Sequence, residues 1–411
     1  MTRSDQSYDL IIVGAGPSGS SAAIYALRAG LKPLLVDKEQ FPRDKICGDA
    51  LSGKSVNILR DLDLLGKIQK LPGATIQSII FSSPDHTAFK IDLRETKLQE
   101  TPKGFVIKRR ILDDFLFSEA KAAGVETIEN FFVTDLLKEN GQICGIIGKH
   151  RGSNEEISFR APVVLGADGY SSIVARRLKL YRHDPEHWVV ALRCYYENVA
   201  DLTDQIELHY VDEVIPGYFW IFPLENGYAN VGIGMLHAYI KERNIDLRKA
   251  LQHSIESPYF KDRFTNARPL EKPVGWNLPV GSIRRRSYGD GFMLLGDAAG
   301  LIDPFTGEGI GNAMYSARFA VQTIMEARTA NDFSARVLKN YEDNLWNEIG
   351  NELNVSTKLQ KIGRYRPLLN FVIRKAASNP EVSDIIAGML ANEVPRKKLA
   401  NPLFYLRLLF S

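Results

Sequence analysis

The residues best suited to chemistry fall in short clusters far apart in the chain. The first is Gly14-Ala15-Gly16-Pro17-Ser18-Gly19, a G-x-G-x-x-G run. Glycines at that spacing let a strand turn sharply into a helix, let backbone approach a pyrophosphate and let helix and strand pack closely. The start of that helix would turn unpaired N–H groups and the positive end of its dipole towards phosphates. Asp37 follows about 20 residues further on, where a carboxylate accepts hydrogen bonds from a ribose diol. A second cluster, Gly296-Asp297, leads through Gly307, Gly309 and Gly311 into another helix starting near Ile310. Its N–H groups and dipole suit a developing anion. Between them lie a lone thiol, Cys47, flanked by Lys45 and Asp49, and an aromatic pair, Tyr218 and Trp220.

The elements that must position these groups are legible in outline. Residues 8–36 read as strand, turn, helix and strand: the apolar run at 8–14, a small and apolar helix stopping at Gly30, then "KPLLVDK" ending in Asp37. That is a βαβ unit, the context that gives the glycine run its meaning. Asp168-Gly169 follows another short apolar strand, and Gly296-Asp297 follows "FMLL". Arg109 and Asp113 open an amphipathic helix, and Val133 sits in a strand after it. Residues 188–235 are dominated by strands, and from 333 onward the pattern is helical. In a strand, Tyr218 and Trp220 share one face while Phe219 and Ile221 take the other. Two acidic glycine clusters around one dinucleotide favour a flavin over a nicotinamide, because a reduced flavin carries an anion that a helix start can hold.

Composition excludes several classes. The chain has 411 residues, 45% hydrophobic and 25% charged, as ordinary soluble proteins are, and not as disordered chains are. Lys+Arg 52 against Asp+Glu 49 leaves +3, too balanced to imply nucleic acid. Three cysteines, Cys47, Cys144 and Cys194, supply neither a disulfide framework nor a metal-ligand spacing, so no metal is expected and a reducing, cytoplasmic compartment is. No uninterrupted apolar run is long enough to span a bilayer. The apolar stretch 400–411, after Arg396, Lys397 and Lys398, is a candidate for lying on a membrane surface, with packing on its own domain as the alternative.

These motifs together resemble the aromatic-hydroxylase-like flavoproteins: "VLGADGYSSIVARRL" is similar to their DG motif and "LLGDAAGLIDPFTGEGI" to their GD motif, over about residues 8–325. Within that group "DKICGD" resembles the cysteine segment of the geranylgeranyl reductase family, and "YFWIFP" fits its YxWxFP pattern. The resemblance implies an α/β fold: a Rossmann-like, GR2-type FAD-binding domain, an inserted β-sheet substrate domain and a C-terminal helical region. The expected segments are 1–75, 100–185 and 275–330 for the first, 76–99 and 186–274 for the second, and 331–411 for the third.

Carried over to this chain, the family's roles place the Ala15 amide on the pyrophosphate, Asp37 on the adenosine ribose and Arg109 at the phosphates. Val133 would offer its backbone to adenine. Cys47, Gly48 and Ala50 would pass beside the flavin; Asp297, Gly309 and Ile310 would hold the ribityl chain and ring edge. From the residues alone Cys47 reads rather as a packed small hydrophobe; the family puts it near the reactive face. Tyr218 and Trp220 would wall a slot for an isoprenoid, or else pack a sheet core. The implied reaction is reduction of isolated C=C bonds in a geranylgeranyl or other polyprenyl chain, the cofactor supplying the hard chemistry and the protein the slot. No second G-x-G-x-x-G run serves NADPH, so NAD(P)H or ferredoxin would visit transiently. Two alternatives stand beside this: a flavin monooxygenase or halogenase acting on an aromatic substrate, and a non-catalytic electron carrier. Halogenases of the superfamily carry WxWxIP where Tyr218 and Phe222 depart from it here.

Overall fold

The fold was obtained as a computed structural model and describes residues 2–93, 104–379 and 382–383. Arg396, Lys397, Lys398 and the apolar stretch at 400–411, the expected membrane-facing segment, lie outside the described residues.

The run Leu10–Val13 is buried on both faces and lies inside a parallel sheet, as a continuous apolar strand must. Its neighbours are Pro33–Val36 and Val164–Gly166. Glu126–Ile128 and Phe292–Leu294 flank these, and Tyr288–Gly289 pairs antiparallel at one edge. The helices Pro17–Arg28 and Ile310–Ala330 pack together over this sheet. Both therefore begin at the carboxyl ends of parallel strands, the crevice where open α/β sheets bind ligands.

A larger, mostly antiparallel sheet of eight strands forms the second body. Its order runs Arg268–Pro269, Trp188–Glu197, Tyr228–Leu236, Tyr218–Pro223, Gln205–His209, Ser78–Ser82 and Ala88–Asp92, with Val274–Pro279 also paired to Trp188–Glu197. That last strand runs across the expected segment boundary at 275. Tyr218, Trp220 and Phe222 face one side of this sheet; Phe219 and Ile221 face the other, in a separate core with Leu247, Leu251 and Phe260. The helix Leu247–Glu256 seals that second side, and Arg366–Ser378 packs against the strand Ala88–Asp92 on the first. A four-stranded sheet, which includes the hairpin Phe131–Glu139 and Gln142–His150, sits beside the parallel sheet and carries Val133.

The parallel pairing of Ser78–Ser82 with Gln205–His209 brings a Ser-His-acid arrangement together within the sheet. Ser82 Oγ lies 2.7 Å from His209 Nδ1, and His209 Nε2 lies 3.0 Å from Glu207 Oε2. All three side chains are buried, and none lines the cavity described below. Arg263 clamps the Glu207 carboxylate with two hydrogen bonds. Burial lowers the pKa of His209, and the cluster acts as a polar brace within the sheet.

Candidate active site

The glycines of the first turn divide into two kinds. Gly14 has φ +99°, and a Cβ there would stand 2.5 Å from the Ala167 carbonyl oxygen; one on Gly19 would stand 1.8 Å from the Gly14 carbonyl oxygen. Packing within the protein requires both. Gly16 is different. A Cβ there would meet only the guanidinium ends of Arg43 and Arg109, at 3.6 and 4.0 Å, which is ordinary contact. Packing within the protein does not require glycine at 16, and two guanidinium ends face its backbone. That pairing of backbone and guanidinium groups suits a pyrophosphate.

Arg109 is 2% exposed and donates through Nε and Nη2 to both oxygens of Asp113, at 2.7 and 2.8 Å. Arg43 joins the same carboxylate at 2.5 Å. Burial opposes the charge on Asp113, but Arg109 and Arg43 outweigh it and hold the carboxyl below the usual range. Arg109 also faces the Cys47 thiol. Asp37 closes the groove at the end of its strand. Its Oδ2 accepts from the Ala15 amide at 2.7 Å and its Oδ1 from the Glu39 amide at 2.8 Å. Burial raises its pKa, against those two bonds and the charge of Arg43. The Ala15 amide, expected on the pyrophosphate, donates to Asp37 in this structure. Each carboxylate oxygen keeps further acceptor capacity for a ribose.

One cavity of about 920 Å³ runs from Asp37 and Val133 past Arg109 and Asp297 to Tyr218 and Trp220. That is at the upper end for ligand pockets, roughly 300–1,000 Å³. It brings together Gly14, Gly16, Asp37, Cys47, Gly48, Ala50, Arg109, Val133, Tyr218, Trp220, Asp297, Gly309 and Ile310. Ala15 and Gly19, behind the turn, are the expected residues it leaves out. Asp297 pairs with Lys45 at 3.0 Å, near the start of the helix Ile310–Ala330. Glu308 serves that helix in place of a side-chain N-cap, accepting from the Gly311 amide at 2.6 Å. Burial raises the Glu308 pKa, opposed by Ser52, Gly311 and Lys54.

Asp168 also lines the cavity, and its carboxylate serves its own chain. It accepts from Ser172 Oγ at 2.6 Å and the Ile173 amide at 2.6 Å, capping the short helix Ile173–Arg177.

Beyond the groove the lining turns apolar. Ile79, Phe81, Leu208, Trp220 and Phe222 form a lobe against Pro216 and Phe305. Tyr218 and Trp220 meet edge to face at 6.1 Å. The Tyr218 hydroxyl donates to the Thr306 carbonyl at 2.7 Å, tying the wall to the glycine-rich loop, and its pKa is raised by burial and by Asp303.

Little in the sequence signals the polar cluster behind Cys47. Asp49 is fully buried with φ 68°, and its Oδ2 accepts from Tyr195 Oη at 2.7 Å and Asn230 Nδ2 at 2.8 Å. Burial pushes its carboxyl up to about 6, against the pull of Tyr195, Asn230, Arg193 and Arg109. Sequence reasoning singles out neither Arg43 nor Asn230. The one available signal for Asn230 is a lone polar residue inside the apolar strand "YANVGIGM".

The model of the FAD binding domain family matches residues 7–344. A digeranylgeranylglycerophospholipid reductase of Methanocella arvoryzae is 34% identical over 86% of this chain and 87% of its own. The chain belongs to the FAD-binding geranylgeranyl reductase family. A digeranylgeranylglycerophospholipid reductase of Thermoplasma acidophilum is 32% identical over 82% of this chain and 83% of its own. A crystal structure of a geranylgeranyl bacteriochlorophyll reductase-like protein of that organism superposes with a TM-score of 0.80 at 26% identity, covering 99% of this chain and 96% of that one. A flavin-dependent brominase, at 23% identity and a TM-score of 0.76 over 94% of each chain, shares the fold. The family's FAD fits the residues present: the Gly16 backbone and two arginines at the phosphates, Asp37 at one end and Asp297 with a helix start at the other.

Proposed function

We propose that this protein is an FAD-dependent oxidoreductase that saturates isolated C=C bonds of a geranylgeranyl or related polyprenyl chain. The observation that carries the reading is the apolar lobe opening directly off the cofactor groove, walled by Tyr218, Trp220 and Phe222. The names of the reductase relatives support it. The fold shared with a brominase leaves the monooxygenase and halogenase reading without a residue-level argument.

FAD, when bound, supplies hydride transfer. The chain's own residues do the rest. Arg43 and Arg109, one of whose two positive charges Asp113 already balances, face the pyrophosphate, and Asp37 takes the ribose. Asp297 takes ribityl hydroxyls, with Lys45 fixing its carboxylate. Gly309 and Ile310 present the helix start to the ring edge, and Gly48 and Ala50 pass beside the ring. An unactivated alkene is a poor hydride acceptor, so tight placement must supply much of the rate. Tyr218 and Trp220 provide flat apolar surface with few rotamers to freeze. Cys47, facing Arg109, stands at the boundary between groove and lobe. The second alkene carbon needs a proton. Glu308 is a lining carboxyl whose burial favours the protonated form.

Electrons come from an external donor, NAD(P)H or ferredoxin. A hydrocarbon substrate is delivered from a lipid phase, and peripheral membrane contact belongs to this reading. Among the described residues no helix is long and apolar enough to cross a membrane. The test is product mass: photoreduced protein, mixed without oxygen with a geranylgeranyl lipid, should yield products heavier by two hydrogens per bond. Unchanged lipid would reject the proposal.

A further inference from the structure

Asn230 sits where the cofactor-side turn meets the apolar wall. It is fully buried in the strand Tyr228–Leu236, between Ala229 and Val231. Its amide has a partner on each side. Oδ1 accepts from Trp220 Nε1 at 3.0 Å, while Nδ2 donates to the Cys47 carbonyl and to Asp49 Oδ2, both at 2.8 Å. Flipping the amide would set donor against donor at Trp220 and acceptor against two acceptors at the turn, so the network has one orientation. A buried polar network satisfied in this way specifies a single arrangement.

The surrounding glycines show what Asn230 must hold. A Cβ on Gly232 would stand 2.2 Å from Trp220 Cζ2, so the indole lies flat on bare backbone of the neighbouring strand. Flat apolar contact lets a ring slide; the hydrogen bond to Asn230 gives it direction. A Cβ on Gly48 would stand 3.2 Å from Phe222 and 3.9 Å from Trp220 Nε1, so the turn touches the wall at that point. Asp49 then holds the turn from behind, through Tyr195 Oη and through its own carboxylate, which accepts from the Arg109 amide at 3.3 Å.

We propose that Asn230 is a positioning residue that registers the Cys47–Asp49 turn against the Trp220 indole, so that cofactor-side segment and substrate wall form one rigid body that selects which double bond is presented. This rests on the reductase reading for its substrate, but not for its geometry. Asn230 touches neither substrate nor cofactor; it acts through Cys47 and Trp220.

The test uses two variants that cut the link from opposite ends. Asn230→Asp keeps the size and the acceptor for Trp220 but replaces the two-proton amide donor with a carboxyl that holds at most one proton, shared with Asp49, so at least one of the bonds to the Cys47 carbonyl and Asp49 is lost. Trp220→Phe keeps an aromatic wall and removes only the indole donor. The first readout needs neither substrate nor turnover: the rate at which iodoacetamide alkylates Cys47 in the FAD-bound protein, read on its own peptide so that Cys144 and Cys194 do not interfere. Asn230→Asp should raise it about five- to thirtyfold, the restraint of one or two lost hydrogen bonds, with flavin content held. The second readout is the distribution of partly reduced products from a geranylgeranyl lipid. Both variants should broaden it, and Trp220→Phe should do so while leaving the Cys47 rate near wild type. A folded Asn230→Asp protein with unchanged Cys47 alkylation overturns the proposal. If that variant does not fold, Trp220→Phe decides, and an unchanged product distribution overturns the proposal. Should the wild-type protein reduce no prenyl lipid, the reductase reading fails, while alkylation still judges Asn230.

Discussion

Replacing Asp49 with asparagine should change how stability depends on pH more than stability itself. Asp49 is fully buried, and burial raises its carboxyl from 3.8 to about 6. The folded protein therefore binds this proton more tightly than the unfolded chain. Stability contributed by the protonated form is fully present below about pH 4 and is lost as pH rises to about 6. At about 1.4 kcal/mol per factor of ten in proton affinity, the loss is about 3 kcal/mol. The amide side chain of the variant cannot ionise, so the variant escapes it. The amide puts a donor near the Arg109 N–H, which adds a cost that does not vary with pH. Urea unfolding of both proteins between pH 4 and 7.5, with FAD in excess, isolates the effect as a difference. Asp37, Asp168 and Glu308 are also raised by burial, but they titrate in both proteins and cancel. The variant should gain about 3 kcal/mol on wild type from the acid to the neutral end of the range. A difference independent of pH would refute the account of Asp49 as a costly buried carboxylate.

The two kinds of glycine in the first turn should separate cleanly. Gly14→Ala should lower soluble yield and melting temperature, since the new Cβ meets backbone at a positive φ; Gly16→Ala should melt like wild type but bind FAD more weakly in a fluorescence titration. Asp297→Ala should weaken FAD binding roughly 10- to 150-fold, the worth of a charged acceptor; wild-type affinity would displace Asp297 from the cofactor. Trp220→Ala should keep its flavin, lower turnover on a prenyl lipid and shift which bonds are reduced. Its loss of stability should stay below the about 3–5 kcal/mol of a tryptophan packed on all sides, because one side of the indole faces the cavity.

Local features of the fold were readable and distant meetings were not. A buried strand, a glycine turn and a terminal acid lie within one βαβ unit, so Gly14, Gly16 and Asp37 can be assigned to one groove from spacing alone. The alternation of Tyr218, Trp220 and Phe222 against Phe219 and Ile221 follows from strand geometry. The Asp49 cluster does not follow from any local pattern. Tyr195 and Asn230 lie 146 and 181 residues from Asp49 in the chain, and sheet pairing brings them there. The same holds for Ser82 and His209, which meet because two strands run parallel in register. Arg43 sits in a polar stretch with no periodicity, and only the folded Asp113 shows what it serves. The hydrogen bond from the Ala15 amide to Asp37 is likewise a feature of the folded turn, joining residues 22 apart in the chain.

The proposed reaction requires an alkene lying against the flavin in the lobe walled by Trp220. Its most direct test is anaerobic flavin reoxidation. Photoreduced protein should regain the absorbance of oxidised FAD when a geranylgeranyl lipid is added without oxygen, in proportion to the bonds saturated, and more slowly in Trp220→Ala. Flavin that stays reduced with the lipid and reoxidises only with oxygen and an aromatic substrate would contradict it.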